Sequence, residues 1–244
     1  MKTRAAVLHE MGAKKPYKES KPLKIEYLEL DNPSEHEVLI KIHAAGLCHS
    51  DLSVINGNRP RPLPMALGHE ASGEVIKVGK AVTRVSEGDH VVCTFIPSCG
   101  KCIPCKEGRP ALCENGAISN EKGEMLEGGM RLSNDEGKVY HHLGISGFAE
   151  YSVVSENSIV KIDKKIPFER AAAFGCAIIT GIGAVVNTAQ IRSGSNVAVV
   201  GLGGIGLNAI IGAKLAGANE IIALDINEDK FELAKQFGAT ATFN

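Results

Sequence analysis

The sequence predicts an α/β chain of two unlike parts, a mostly-β region followed by a partial doubly wound parallel sheet. Three observations predict it. Short apolar runs broken by turn residues fill the chain up to about Ser158, apolar strands alternate with alanine-rich helical stretches after Pro167, and a glycine-rich turn sits between one such strand and helix.

In the first part the strand-like runs are Ala5–His9, Glu37–Ala45, Gly73–Val78, Asp89–Thr94, Ala149–Val154 and Ile159–Ile162. Asn56-Gly57, Gly79 and Gly88-Asp89 separate them as turns. Ala117–Gly147 carries six glycines and little periodicity, and reads as a long loop. In the second part, Glu169–Phe174 and Thr180–Thr188 read as helices and Asn196–Val200 as a buried strand. A helix over Gly204–Ala216, a strand over Glu220–Leu224 and a helix over Glu228–Phe237 follow, the last stopped by Gly238 as a C-cap. Thr240–Phe243 begins a third strand. The boundaries predicted are 1–177 for the first domain, with a cysteine lobe at about 97–115, and 178–244 for the second. The 67 residues from Ile178 onward amount to about one half of a two-half dinucleotide domain, so the expectation is an incomplete second domain.

With 44% apolar residues the chain can build a core, which argues against disorder. A net charge of −1 argues against nucleic acid or an anionic membrane as main partner. No apolar run is long enough to span a bilayer, and the first residues lack the apolar stretch of a signal peptide. Seven cysteines, an odd number clustered in metal-like spacings, fit the reducing cytoplasm better than secretion.

Four of those cysteines, Cys99, Cys102, Cys105 and Cys113, read C-x2-C-x2-C-x7-C with the turn residues Gly100, Pro104 and Gly108 between them. Such a set offers four thiolates to one tetrahedral ion, for which zinc is the usual occupant and an iron–sulfur cluster the competitor. A disulfide-rich loop or reactive surface thiols is the metal-free reading. Four protein ligands leave no open coordination position, which makes such a metal structural.

Gly201-Leu202-Gly203-Gly204-Ile205-Gly206 is a G-x-G-x-x-G turn that follows the strand NVAVV and opens a helix. Asp225 ends the next strand 19 residues later, the context that turns a weak motif into a dinucleotide-binding fingerprint. Gly201 permits the tight turn, Gly203 lets backbone approach a pyrophosphate, and Gly206 lets helix and strand pack closely. The helix N-terminus then offers free N–H groups to the anion. Asp225 can accept two hydrogen bonds from a ribose and would repel a 2′-phosphate, which favours NAD over NADP. Lys230 either leans on the same ribose or covers a helix face.

Cys48 in AAGLCHSD, His69 in LGHEASG and Cys176 in FGCAIITG remain as soft-ligand candidates. One imidazole and two thiolates would leave a fourth zinc position open, as catalysis requires. Spacing alone does not assemble them, since a lone cysteine is more often a buried apolar residue. Cys93, inside HVVCTF, is assigned to the core.

Taken together, GLCHSD, GHEASG, the four-cysteine lobe, FGCAIITG and GLGGIG…LDIN resemble the zinc-dependent medium-chain alcohol dehydrogenases over essentially all 244 residues. The segment GGMRLSNDEGKVYHHLGISGFAEY resembles the longer-subunit members. The resemblance implies a GroES-like catalytic domain followed by a Rossmann coenzyme domain, here cut short. It implies Cys48, His69 and Cys176 as ligands of a catalytic zinc, with Glu70 beside them and Asp51 orienting the histidine. Ser50 matches the hydroxyl that starts a proton relay, His49 a basic position near the pyrophosphate, and Thr180 a contact on the nicotinamide side. Where some relatives carry a relay histidine this chain has Ser53, so proton exit through water or another group is expected.

The activity implied is NAD-dependent, reversible oxidation of a primary or secondary alcohol to an aldehyde or ketone, with two zinc ions per subunit and a homodimeric or homotetrameric assembly. Ser50, smaller than a threonine, leaves room for larger alcohols. The alternatives are a glutathione-dependent formaldehyde dehydrogenase of the same superfamily, a non-catalytic zinc-binding remnant, and a redox-regulated thiol protein.

Overall fold

Five strands close a barrel in the first part of the computed structural model, which describes all 244 residues. In ring order they are Lys2–Leu8, Leu23–Leu30, Leu132–Asn134, Gly137–His141 and Met65–Ala66. Alternation along Lys2–Leu8 and Leu23–Leu30 sends Ala5, Val7, Leu28 and Leu30 inward to meet Leu132 and Val139. A second, antiparallel sheet runs in the order Ile159–Lys161, His90–Cys93, Glu70–Val78, Glu37–Gly46, Tyr151–Ser155. Val38, Ile40, Val75, Val91, Cys93 and Val154 fill its core, each apolar side chain contributing about 1.5–3 kcal/mol by leaving water. The two central strands pair with Gly46 opposite Glu70, and two register shifts bend the longer one before it reaches Cys48. Glu37, 1% exposed, is gripped bidentately by Arg131 at 2.8 Å on both arms, which fastens this sheet to the barrel strand that follows.

The chain divides into two units, Met1–Gly175 and Cys176–Asn244. In the second, strands Asn196–Val200, Glu220–Leu224 and Ala241–Phe243 lie parallel in sequence order. Helices Ala177–Gly183, Gly204–Leu215 and Phe231–Phe237 accompany them. Val199, Ile221 and Ala223 of the strands pack with Ile210, Ala213 and Ala234 of the helices, the apolar content expected of strands buried under crossovers. The predicted fold class, mostly β and then alternating strand and helix, is the one observed.

Two local expectations are corrected, and two helices are refined in type. Ala117–Gly147 is not a loop. A helix covers Glu114–Lys122, capped by the Cys113 sulfur and ended by Gly123 at φ 69°, and the hairpin of Leu132–Asn134 and Gly137–His141 closes the barrel. The helix is polar and the strands are three and five residues long, too short for a period to show. Inside the stretch read as strands, His49–Ile55 is a helix, started by a capping box rather than by periodicity. Thr180–Thr188 begins as the α-helix Ala177–Gly183 but widens into a π-helical turn over Ala184–Ala189, and Glu228–Phe237 opens with a 3-10 turn over Glu228–Lys230.

No single helix is long and apolar enough to cross a membrane.

Candidate metal centres and nucleotide turn

The cysteine lobe is built within 15 residues of chain. A short helix over Ile103–Lys106 and a 3-10 turn over Pro110–Leu112 carry it, with Gly100 and Gly108 in the left-handed region at the corners. The sulfurs of Cys99, Cys102, Cys105 and Cys113 all lie within 4.8 Å of one another, none in a disulfide. A tetrahedral zinc with bonds of about 2.3 Å requires sulfur–sulfur edges of about 3.8 Å. Cys102 and Cys113 stand 3.9 Å apart, so the donor set fits the ion. Backbone N–H groups aim at the sulfurs: Cys99 N and Gly116 N donate to Cys113, and Cys102 N donates to Cys99. The Asn115 side-chain amide adds a donor to Cys99 at 3.2 Å. The Lys101 N–H first, with Cys102 and Asn115 behind it, brings the Cys99 thiol down to about 6. Thiolates are what a cation needs.

The second cluster is gathered from distant chain. Cys48 is the N-cap of helix His49–Ile55: its sulfur faces Ser50 N at 3.5 Å, and Asp51 reaches back to Cys48 N at 3.1 Å. Gly68, at φ 93°, turns the chain where Phe148 N leaves no room for a Cβ. His69 follows, 1% exposed, then Glu70, 5% exposed. One ligand atom each from Cys48, His69 and Glu70 lies within 4.8 Å of the others.

Asp51, 3% exposed, ties these pieces together. Its Oδ1 accepts from Gly68 N at 3.2 Å and His69 Nδ1 at 3.2 Å, while Oδ2 holds Cys48 N. An ionised carboxylate only accepts, so His69 carries its proton on Nδ1 and presents a bare Nε2 lone pair. Burial pushes Asp51 up, but contact with His142 and His69 outweighs it and holds the carboxyl well below the usual range.

Gly175 runs against this site, its backbone close to Cys93 O and, more loosely, to the Glu70 Cα, where a side chain would not fit. Cys176 is the next residue and opens the second unit. Cys93 is fully buried in the core, as expected, and burial pushes its thiol up to about 12, which keeps it protonated. Ser50 is part-buried at the second position of its helix and His49 is exposed at the first. The Ser53 hydroxyl is committed to His49 O at 2.9 Å.

In the second unit, Gly201 takes φ 90°, and a Cβ on Gly206 would strike Gly201 O. A Cβ on Gly203 would meet nothing within 4 Å, which leaves that side of the turn open. Gly204 and Ile205 begin the 12-residue helix. Asp225 Oδ2 accepts from Leu202 N at 2.7 Å and from Lys230 Nζ at 2.9 Å, and Oδ1 from Asn227 N at 2.9 Å. These donors, Leu202 first, bring Asp225 down to about 2. Lys230 is thus an ion-pair partner of Asp225 rather than a cover for a helix face. A recess of about 420 Å³ opens beside Asp225, Lys230, Gly201 and Ile226. Thr180 lies part-buried in helix Ala177–Gly183.

Sequence reasoning missed two participants, the Asn115 amide on Cys99 and His142. The latter is 1% exposed with Nδ1 3.1 Å from Asp51 Oδ1, in contact but out of line for a hydrogen bond. The paired histidines in VYHHLG were its only signal.

The profile of the Alcohol dehydrogenase GroES-like domain matches residues 34–164, and that of Zinc-binding dehydrogenase matches residues 204–244. The chain therefore belongs to the zinc-dependent medium-chain alcohol dehydrogenase family. An S-(hydroxymethyl)glutathione dehydrogenase of Synechocystis is 45% identical across the whole chain, which spans 64% of that relative. An alcohol dehydrogenase class-3 of Drosophila melanogaster is 47% identical over 92% of the chain and 59% of the relative. The chain thus spans about three fifths of the length of these curated relatives. Among solved structures, the benzyl alcohol dehydrogenase of Acinetobacter calcoaceticus superposes with a TM-score of 0.89 at 39% identity, over 99% of this chain and 63% of that one. An alcohol dehydrogenase zinc-binding domain protein of Burkholderia ambifaria gives a TM-score of 0.92 at 38% identity, over 100% and 64%.

Proposed function

We propose that this chain carries the zinc centres and the adenosine end of the coenzyme site of an NAD-dependent alcohol dehydrogenase, which oxidises a primary or secondary alcohol reversibly to an aldehyde or ketone. The observation that carries the reading is the Asp51 carboxylate, which secures Cys48 N, Gly68 N and His69 Nδ1 at once and sets a ring nitrogen of His69 within 4.8 Å of the Cys48 sulfur. Cys48, His69 and Cys176 would hold one zinc, with Glu70 beside it, and the four lobe cysteines the other. Zinc at the first set supplies a Lewis acid that acidifies an alcohol oxygen, and NAD supplies the hydride acceptor. Ser50 takes the proton that the alcohol hydroxyl gives up and passes it to water, since Ser53 is bound to its own helix. Gly201, Gly203, Gly204, Ile205 and Gly206 present the helix N-terminus to the pyrophosphate, with His49 adding a basic group. Asp225 takes the ribose, supported by Lys230, and Thr180 contacts the nicotinamide side.

A homodimer or homotetramer in the cytoplasm completes the reading, and the cytoplasmic part is supported by a cluster of four thiols outside any disulfide. The name of one curated relative, S-(hydroxymethyl)glutathione dehydrogenase, favours a second substrate, the glutathione adduct of formaldehyde.

The test is zinc content per chain together with NAD reduction on ethanol, 2-butanol, benzyl alcohol, and formaldehyde with and without glutathione. Two zincs with turnover of the free alcohols support the main reading. Turnover that requires glutathione moves the protein to the second. Zinc at the lobe alone, with no NAD binding by calorimetry, overturns both.

A further inference from the structure

We infer that His142 is a positioning residue of the second metal centre: its imidazole shares the Asp51 carboxylate with His69 and walls the ligand ring in place. This rests on the proposed zinc ligation by Cys48, His69 and Cys176.

His142 lies 91 positions beyond Asp51 in the chain, in the segment GGMRLSNDEGKVYHHLGISGFAEY and outside every run that supplies a candidate ligand. Yet its Nδ1 stands 3.1 Å from the same Oδ1 that holds His69 Nδ1. Its ring meets the His69 ring edge-on, with centroids 5.3 Å apart and planes at 87°, while Phe95 takes another flank of His69 at 6.0 Å and the same 87°. His69 is thus boxed by two perpendicular rings and anchored by one carboxylate.

The backbone is shaped to deliver the ring. His142 N donates to Ala66 O at 3.2 Å, three residues before His69, and its carbonyl accepts from Ile145 N and Ser146 N. That turn holds two non-glycine residues in the left-handed region, Leu143 at φ 53° and Ser146 at φ 52°. Conformations of this kind persist where the surroundings over-determine them, as at functional sites. The Nδ1 itself finds no aligned partner, an orphaned buried polar atom that simple core packing would not retain. Beside Asp51 it has a purpose. It keeps a polar edge against the carboxylate, excludes water from it, and stops both Asp51 and His69 from tilting.

The experiment uses the full chain loaded with zinc and a chromogenic chelator that follows release of each ion. His142→Phe fills the space without a nitrogen near Asp51, and His142→Asn restores a polar group with less bulk. Outer partners of metal ligands are worth about 10–100-fold in metal affinity. In His142→Phe one zinc of two should leave 10–100-fold faster while the lobe zinc keeps its wild-type rate, and His142→Asn should recover part of the loss. A cobalt-loaded sample should show a shifted visible spectrum for the same single site. Equal release of both ions at wild-type rates, or equal acceleration of both, overturns the inference. If wild type binds only the lobe zinc, the ligation reading beneath it has failed, and that is seen before any variant is compared.

Discussion

The two candidate metal centres are built on opposite plans. The lobe draws its four sulfurs from residues 99 to 113, and the donors that steady those sulfurs come from that stretch or just beyond it: Cys99, Cys102, Asn115 and Gly116. The other centre takes Cys48 from a helix cap, His69 from a glycine turn and Glu70 from a strand, and one carboxylate reconciles their positions. In the lobe the metal is the organiser, because turns and three- or four-residue helices have no core of their own. In the second centre the protein is the organiser, because Asp51, His69 and His142 are buried and held to one another by protein contacts. A structural site can depend on its ion, whereas a site with an open position must hold its shape without help from a fourth ligand.

The largest effect expected from this contrast is on metal removal. Zinc binding to thiolate-rich sites contributes of order 10 kcal/mol to folding of small zinc domains. Stripping both ions should therefore unlock the lobe, so that the amides of Cys99, Cys102 and Gly116 exchange hydrogen orders of magnitude faster. The amides of Cys48 and Gly68, held by Asp51, should keep most of their protection. Hydrogen exchange read by mass spectrometry checks this. Equal loss in both regions would mean that the second centre is also shaped by its metal.

The same contrast explains what could be read from the sequence. The four sulfurs of the lobe were legible as one cluster because they and the turn glycines are neighbours, and spacing is a sequence property. The glycine turn was legible for the same reason: strand, Gly201–Gly206, helix and Asp225 fall within 30 residues. Cys48, His69 and Cys176 had no spacing that joined them, and only resemblance to a family did so. The role of His142 escaped because a carboxylate is shared in space, between a helix cap and the end of the hairpin Leu132–His141. That hairpin had itself been read as loop, since strands of three and five residues carry too few alternations to register. The Asn115 contact to Cys99 depends on a side-chain rotamer, which no pattern of residue types encodes.

A middle-sized effect is expected at Gly175. A Cβ there would meet the carbonyl of Cys93, a core strand that cannot easily give way. Gly175→Ala should cost about 1–3 kcal/mol of stability, the usual range for overpacking. Because Cys176 follows directly, it should also lower the zinc content toward one ion per chain, with the lobe still filled. Metal analysis beside a urea titration separates the two consequences. A destabilised variant that still holds two zincs would show that Gly175 matters for packing alone.

The smallest effect sharpens the comparison through acid. His141, the residue before His142, is fully buried, and burial first, then the Arg131 and Lys138 charges, push its imidazole down to about 3. Its Nε2 accepts from Arg131 N at 3.0 Å, so the proton sits on Nδ1, which faces the Ser146 hydroxyl at 3.2 Å. The folded chain keeps this ring neutral while the unfolded chain protonates it near its ordinary value of about 6.5. The unfolded state thus binds more protons between those limits, and stability rises with pH there. It is lost as pH falls from about 6.5 toward 3, by about 1.4 kcal/mol per unit within the window. Between pH 7.5 and 5.5 the wild type should therefore lose about 1.4 kcal/mol that His141→Gln does not. Urea midpoints at the two pH values, converted with a common slope, measure that gap directly. The lobe has no buried histidine, so a gap that vanishes would mean that the turn carrying His142 opens in mild acid and lets water reach the ring. A gap that holds shows that the turn stays shut, and that the frame around Asp51 stands as a preformed mould rather than one the ion casts.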